Sequence, residues 1–165
     1  MANPFSIGSL TTLPRGAGAG TDNITGKASS GSKIALGLGK VDWSSAVPYD
    51  GMVQMKVKTN ATTPTGNKIL SLYLITSLDG TIFTDGIDPD SASDQSSKIN
   101  QALCVGIFTN IAASTTYYFD TIDIPAILGY IPLYWAIVWQ LDVTAGGFSS
   151  TAGDHSTKSL QESYA

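Results

Sequence analysis

Ile124-Pro125-Ala126-Ile127-Leu128-Gly129-Tyr130-Ile131-Pro132-Leu133-Tyr134-Trp135-Ala136-Ile137-Val138-Trp139-Gln140-Leu141 is an uncharged run with Asp123 before it and Asp142 after it. Its length touches the lower range for a transmembrane helix. Pro125, Gly129 and Pro132 interrupt any such helix, and acids stand where Lys or Arg anchors belong. From Leu133 the odd positions (Leu133, Trp135, Ile137, Trp139, Leu141, Val143) are all apolar, while the even ones change from Tyr134, Ala136 and Val138 to Gln140 and Asp142. This period of two predicts a strand buried on both faces at first and solvated on one face later. The stretch reads as a sandwich-core strand, preceded by a short helical turn over residues 124–129, and not as a membrane span.

The rest of the chain agrees with a β protein. Its 165 residues suffice for one domain that buries about two thirds of its unfolded surface. Charge is sparse: eight Lys, one Arg, twelve Asp and one Glu. The residues that build helix surfaces are scarce, whereas Ser, Thr, Gly and Asp supply turns and exposed strand faces. The expectation is an all-β fold, an antiparallel, jelly-roll-like β-sandwich over residues 32–165 behind an extended N-terminal arm over 1–31.

In the arm, Phe5, Ile7, Leu10 and Leu13 are single apolar residues among Ser, Thr and Gly, with Arg15 and the glycine-rich Gly16-Ala17-Gly18-Ala19-Gly20 after them. Such a segment buries too little apolar surface to offset its own ordering. It either stays disordered or lies across another subunit with those residues as pegs, so Phe5, Ile7, Leu10, Leu13 and Arg15 are candidate partner-binding residues. Strands are expected at 34–38, at 53–58 with Val53, Met55 and Val57 facing inward, and at 70–76 with Leu70, Leu72 and Leu74 alternating. Asp79-Gly80 signals a tight hairpin into a strand over 81–84, followed by a polar loop over 87–98. Further strands are expected at 102–109, 116–122 and 155–160. No repeat of solenoid or propeller length is present.

Charge is unevenly divided, +4 over residues 1–68 and −8 over residues 69–165. That polarity can orient a subunit against a neighbour. The basic half is too dilute for a nucleic-acid footprint, so no nucleic acid is expected as a partner. Met1-Ala2-Asn3-Pro4-Phe5 lacks the basic start and apolar core of a signal peptide, which points to assembly in a cytoplasm. Cys104 is the single cysteine and, inside Leu103-Cys104-Val105, reads as a small buried hydrophobe.

Three constellations deserve a chemical reading. His155 is the only histidine; Asp154 beside it would point to the opposite face of a strand, and no Gly-x-Ser-x-Gly elbow supplies a nucleophile. It reads as an exposed loop histidine, with no catalytic residues expected. Asp79, Asp85, Asp88, Asp90 and Asp94 are the best candidates for calcium or paired-carboxylate chemistry, but their spacing fits no EF-hand loop. A solvated acidic loop is the favoured reading, and neither metal nor cofactor is expected. Trp43, Trp135, Trp139, Tyr117, Tyr118, Tyr130 and Tyr134 are weighed as core or interface residues against a sugar-stacking platform, and the core reading is favoured.

Two segments carry a family resemblance. Residues 72–86, Leu72-Tyr73-Leu74-Ile75-Thr76-Ser77-Leu78-Asp79-Gly80-Thr81-Ile82-Phe83-Thr84-Asp85-Gly86, resemble a hairpin of small virion proteins of tailed bacteriophages. Ile131-Pro132-Leu133-Tyr134-Trp135-Ala136-Ile137-Val138, with the polar turn and last strand that follow, resembles their C-terminal hairpin. An Asn-x-Thr-Gly turn is replaced here by Asp142-Val143-Thr144-Ala145-Gly146. The resemblance implies a structural virion protein on the capsid surface, a head decoration or cement protein. It would be a homo-oligomer, with a trimer favoured, bridging subunits of the major capsid protein. The alternative expectation is a glycan- or receptor-binding module of a tail or head fibre.

Overall fold

The computed structural model describes residues 5–6, 11–12, 23–29, 33–44, 50–151 and 153–164. The strands are β1 (Phe5–Ser6), β2 (Thr11–Thr12), β3 (Ile34–Asp42), β4 (Asp50–Lys58), β5 (Ile69–Ser77), β6 (Leu103–Thr109), β7 (Thr116–Asp123), β8 (Tyr134–Asp142) and β9 (Ser156–Tyr164). One short helix, α1 (Ile124–Leu128), precedes β8. The antiparallel pairs are nested: β1 and β2 with β9, β3 with β8, β4 with β7, and β5 with β6. Such a chain is one long antiparallel ribbon folded about the β5–β6 connection. Rolling the ribbon brings β9 against β4 and β8 against β5. The result is two packed sheets, β1-β9-β4-β7 with β2 also on β9, and β3-β8-β5-β6. This is the jelly-roll form of an antiparallel sandwich.

The period-2 pattern places the core. Leu70, Leu72 and Leu74 of β5, Trp135, Ile137, Trp139 and Leu141 of β8, and Val53, Met55 and Val57 of β4 point between the sheets. An edge-on aromatic contact joins the layers, Phe119 of β7 to Trp139 of β8 at 5.1 Å between ring centres, and Trp43 packs edge-on against Trp135 at 5.2 Å beside it in the core. In β4 the alternate residues Met52 and Gln54 are exposed, as the alternation predicts. Ile24, within residues 1–31, is fully buried in this core, and Ala28 bridges to Gly147.

β8 departs from the expected half-solvated end. It is buried through Leu141, Gln140 included. The cause is the segment 78–102, which folds back over the outer face of the β3-β8-β5-β6 sheet. Phe83 and Ile87 from this segment pack on Ala35, Ile75, Ala136 and Val138 in a second apolar layer. Residues 81–84 are accordingly not a strand; a 3-10 turn forms at Thr84–Gly86. Neither stretch of the expected hairpins pairs as one, because β5 runs into this covering segment and β8 and β9 belong to different sheets. The covering segment touches β3 closely enough that a Cβ on Gly37 would collide with the backbone of Pro89.

The uncharged run that opens the sequence splits as expected into helix, turn and strand. Asp123 caps α1 by accepting the Ala126 N–H (3.2 Å), Pro125 sits in the first turn, and Gly129 closes it in the left-handed region at φ 74°. Among the described residues, no helix is long and apolar enough to cross a membrane.

Candidate docking surface

The two ends of the sandwich differ in chemistry. One end gathers the segments around 59–68, 109–115 and 144–155, which are rich in Thr, Asn, Ser and Gly and knit by main-chain bonds such as Asn60 N–H to Gly147 O (2.9 Å). Lys27, Lys33, Lys56, Lys58 and Lys68 lie there with Asp142 and Asp154, and the ion pairs are Lys33–Asp142 at 3.3 Å and Lys58–Asp154 at 3.2 Å. The opposite end holds Asp42, Asp79, Asp85 and Asp123 against Lys40 and Lys98. With Asp94, bonded to the Ala35 N–H, the first end sets five Lys against three Asp and the second four Asp against two Lys, so among the described residues one end is mildly basic and the other mildly acidic.

The acidic end is also the apolar one. Between the turn that follows β5 and the segment 130–133 lies a groove of about 580 Å³, lined by Leu78, Ile82, Tyr130, Ile131, Pro132 and Leu133 with Thr76 and Asp79 among its polar members. Leu78 is 83% exposed and Ile82 74% exposed. Met52, Ile127, Tyr130, Ile131 and Leu133 are further exposed apolar side chains at the same end. Isolated exposed apolar residues are ordinary, but a contiguous set marks an interaction surface.

The groove wall is built by one carboxylate. Asp79 Oδ1 accepts the N–H groups of Thr81 (2.8 Å) and Ile82 (2.9 Å) and the Ser77 hydroxyl (2.9 Å), so the turn presents Leu78 and Ile82 outward. Donation from the Ile82 N–H, then from Thr81 and Ser77, holds the Asp79 carboxyl well below the usual carboxylate range. On the facing wall the Tyr130 hydroxyl lies 3.3 Å from Thr76 Oγ1.

The other acids of the expected cluster have the same occupation. Asp85 Oδ2 accepts the N–H groups of Asn100 (2.8 Å), Gln101 (2.7 Å) and Ala102 (2.9 Å). Asp94 Oδ1 accepts from Ala35 and Ser96, Asp90 Oδ1 from Lys40, and Asp88 Oδ1 from Asp90. These carboxylates satisfy the main chain of the segment that covers the sheet and, through Asp90 and Asp94, tie it to β3. Among the described residues no group of three His, Cys, Asp or Glu side chains is arranged to hold a metal ion.

Two sequence expectations need correction. His155 is 1% exposed, not a solvated loop residue. Its Nδ1 accepts the Lys58 N–H (3.3 Å) and its Nε2 faces the Ser149 carbonyl oxygen (3.0 Å), which fixes the neutral tautomer with the proton on Nε2. Ser149 Oγ donates to Asp154 Oδ2 at 2.5 Å. Ser, His and Asp do meet, but the imidazole addresses the serine's carbonyl and never its hydroxyl, so no base stands on a nucleophile. Cys104 is exposed, because β6 is an edge strand and the side chain lies on its outer face.

The aromatic residues divide. Trp43, Trp135 and Trp139 are core residues, so none of them offers a sugar platform, whereas Tyr118 and Tyr130 are exposed. Of the candidate arm residues, Phe5 pairs with Tyr164 in the β1–β9 ladder. Ile7, Leu10, Leu13 and Arg15 lie outside the described residues. Sequence reading missed the groove itself. The available signal was Leu78 and Ile82, apolar residues set among the turn-forming Ser77, Asp79, Gly80 and Thr81, where no strand face can bury them. Comparisons with family models, with curated proteins and with solved structures found no match to this chain.

Proposed function

We propose that the chain is a structural subunit of a tailed-bacteriophage particle, a decoration or cement protein that sits on the capsid surface and bridges subunits of the major capsid protein. The observation that carries this reading is the apolar end, with Leu78 and Ile82 held outward by Asp79 beside a groove floored by residues 130–133. Covering one such side chain is worth about 1.5–3 kcal/mol. The jelly-roll ribbon supplies a rigid base, and the resemblance of residues 72–86 and 131–138 to small virion proteins gives the class of partner. The subunit works by adhesion in an array, as a homo-oligomer, and the arm extends the contact. Leu78→Asp with Ile82→Asp abolishes co-sedimentation with capsids and leaves the melting temperature unchanged. Undiminished co-sedimentation of that variant would remove the apolar end from the account.

A receptor- or glycan-binding module is the second reading. Tyr130, exposed and within 3.3 Å of the Thr76 hydroxyl, is the observation that favours it, since a ring face beside hydroxyls suits a sugar. Glycan-array binding lost on Tyr130→Ala would select this reading.

A further inference from the structure

The four sheet edges are not treated alike. On β3 the outward main chain is tied to the covering segment: Ala35 N–H donates to Asp94 Oδ1 (2.8 Å), Gln95 N–H to Ala35 O (2.8 Å), Gly39 N–H to Pro89 O (3.1 Å) and Lys40 N–H to Asp90 Oδ1 (3.1 Å). The outer side of β9 carries β1 and β2. Edge strand β7 ends at Asp123, an acid of the kind that commonly discourages edge pairing, and runs there into α1, which Asp123 caps. β6 has none of these devices. Among the described residues it pairs only with β5, and Leu103-Cys104-Val105-Gly106-Ile107-Phe108-Thr109 contains no charge and no proline. Leu103, Cys104 and Ile107 are exposed, Ile107 at 59%.

We propose that β6 pairs antiparallel with β6 of a second copy of this chain, joining two sandwiches into one continuous sheet about a two-fold axis. Charge selects the antiparallel partner. Asp85 is fixed at the Leu103 end of β6 by its three bonds to residues 100–102. Lys68 is fixed at the Thr109 end, where its carbonyl accepts the Ile111 N–H (3.1 Å). A two-fold pairing sets Asp85 of each copy against Lys68 of the other, and more broadly the acidic end of one sandwich beside the basic end of its neighbour. A parallel pairing would set like against like. The ladder is seven residues long. That is short beside the roughly 800 Å² per partner of a durable interface, so the pair dissociates on dilution. This inference stands apart from the capsid reading, and a three-fold assembly would use a surface other than β6.

Sedimentation velocity of the full chain across a wide concentration range, with hydrogen exchange at matched concentrations, tests it. The expected result is a monomer–dimer equilibrium in which the amides of residues 103–109 become protected as dimer forms. Ile107→Lys puts a charge on the bare edge and yields monomer at every concentration with an unchanged melting temperature. Lys68→Glu raises the dissociation constant by about tenfold or more. Ile82→Lys, at the apolar end, leaves the dimer intact, which separates this contact from the capsid-facing one. A wild-type chain that stays monomeric at its highest soluble concentration overturns the proposal. So does a dimer that survives Ile107→Lys or is lost with Ile82→Lys.

Discussion

The ring of Phe119 on β7 occupies the space that a side chain at Gly106 on β6 would need. The two strands belong to opposite sheets, so this contact closes the sandwich along its β6–β7 side, with Phe108 stacking edge-on against the same ring at 4.6 Å. Gly106→Val therefore overpacks the core and is expected to destabilise the fold by about 1–3 kcal/mol. Urea unfolding measures this, and Phe119→Leu in the same chain restores part of the loss. Additive losses in the double variant would refute the contact.

The indole Nε1 atoms of Trp43, Trp135 and Trp139 are buried, and no acceptor reaches them among the described residues. Replacing one of these rings by Phe removes a donor that makes no protein hydrogen bond, so only volume is lost. Trp139→Phe is expected to cost less than about 2 kcal/mol and Trp139→Ala about 3–5 kcal/mol. Denaturant titration of both variants separates packing from hydrogen bonding; equal losses would show that the indole N–H, removed in both, contributes most of the loss.

His155 joins β4 to the segment that precedes β9, through Lys58 N–H and the Ser149 carbonyl. His155→Ala leaves the Lys58 N–H without a partner, at about 1–3 kcal/mol, while the Ser149 carbonyl keeps the Gly26 N–H (2.9 Å). The check is a lowered melting temperature, with hydrogen exchange accelerated at Lys58 and not in β5.

Acid should unfasten the loops before the sheets. Asp79, Asp85 and Asp154 are held below the ordinary carboxylate range, chiefly by the Ile82 N–H, the Asn100 N–H and the Ser149 hydroxyl respectively. For a carboxyl depressed in the folded state, the stabilisation is fully present above the unfolded value, about 3.9, and disappears as pH falls through the folded value. The melting temperature is expected to be flat from neutral pH down to about 5 and to fall steadily below about 4. Asp79→Asn flattens part of that fall; a wild-type curve that declines already near neutrality would contradict this assignment.

Much of the fold was legible because the strands obey a period of two. Leu70, Leu72, Leu74 and the odd positions of 135–141 announce their inward face, and Asp123, Pro125 and Gly129 announce α1. Local pattern does not reveal what a strand is covered by. Gln140 reads as solvated, yet the segment 78–102 lies over its face, and Cys104 reads as buried although β6 ends a sheet. Asp79 and Gly80 signal a hairpin, but the Asp79 carboxylate folds the turn over itself to bond Thr81 and Ile82. Site chemistry was hidden for the same reason. Asp85, Asp90 and Asp94, acids that invite a metal reading, prove to be committed to main-chain N–H groups that only the tertiary fold brings within reach.

The most direct test of the central claim is the number of copies of this chain in purified virions, determined by quantitative mass spectrometry against the major capsid protein. A decoration protein that adheres through its apolar end is expected in hundreds of copies, falling to background when the particle is assembled with Leu78→Asp and Ile82→Asp. A few to a dozen copies, or a count indifferent to those substitutions, would contradict it.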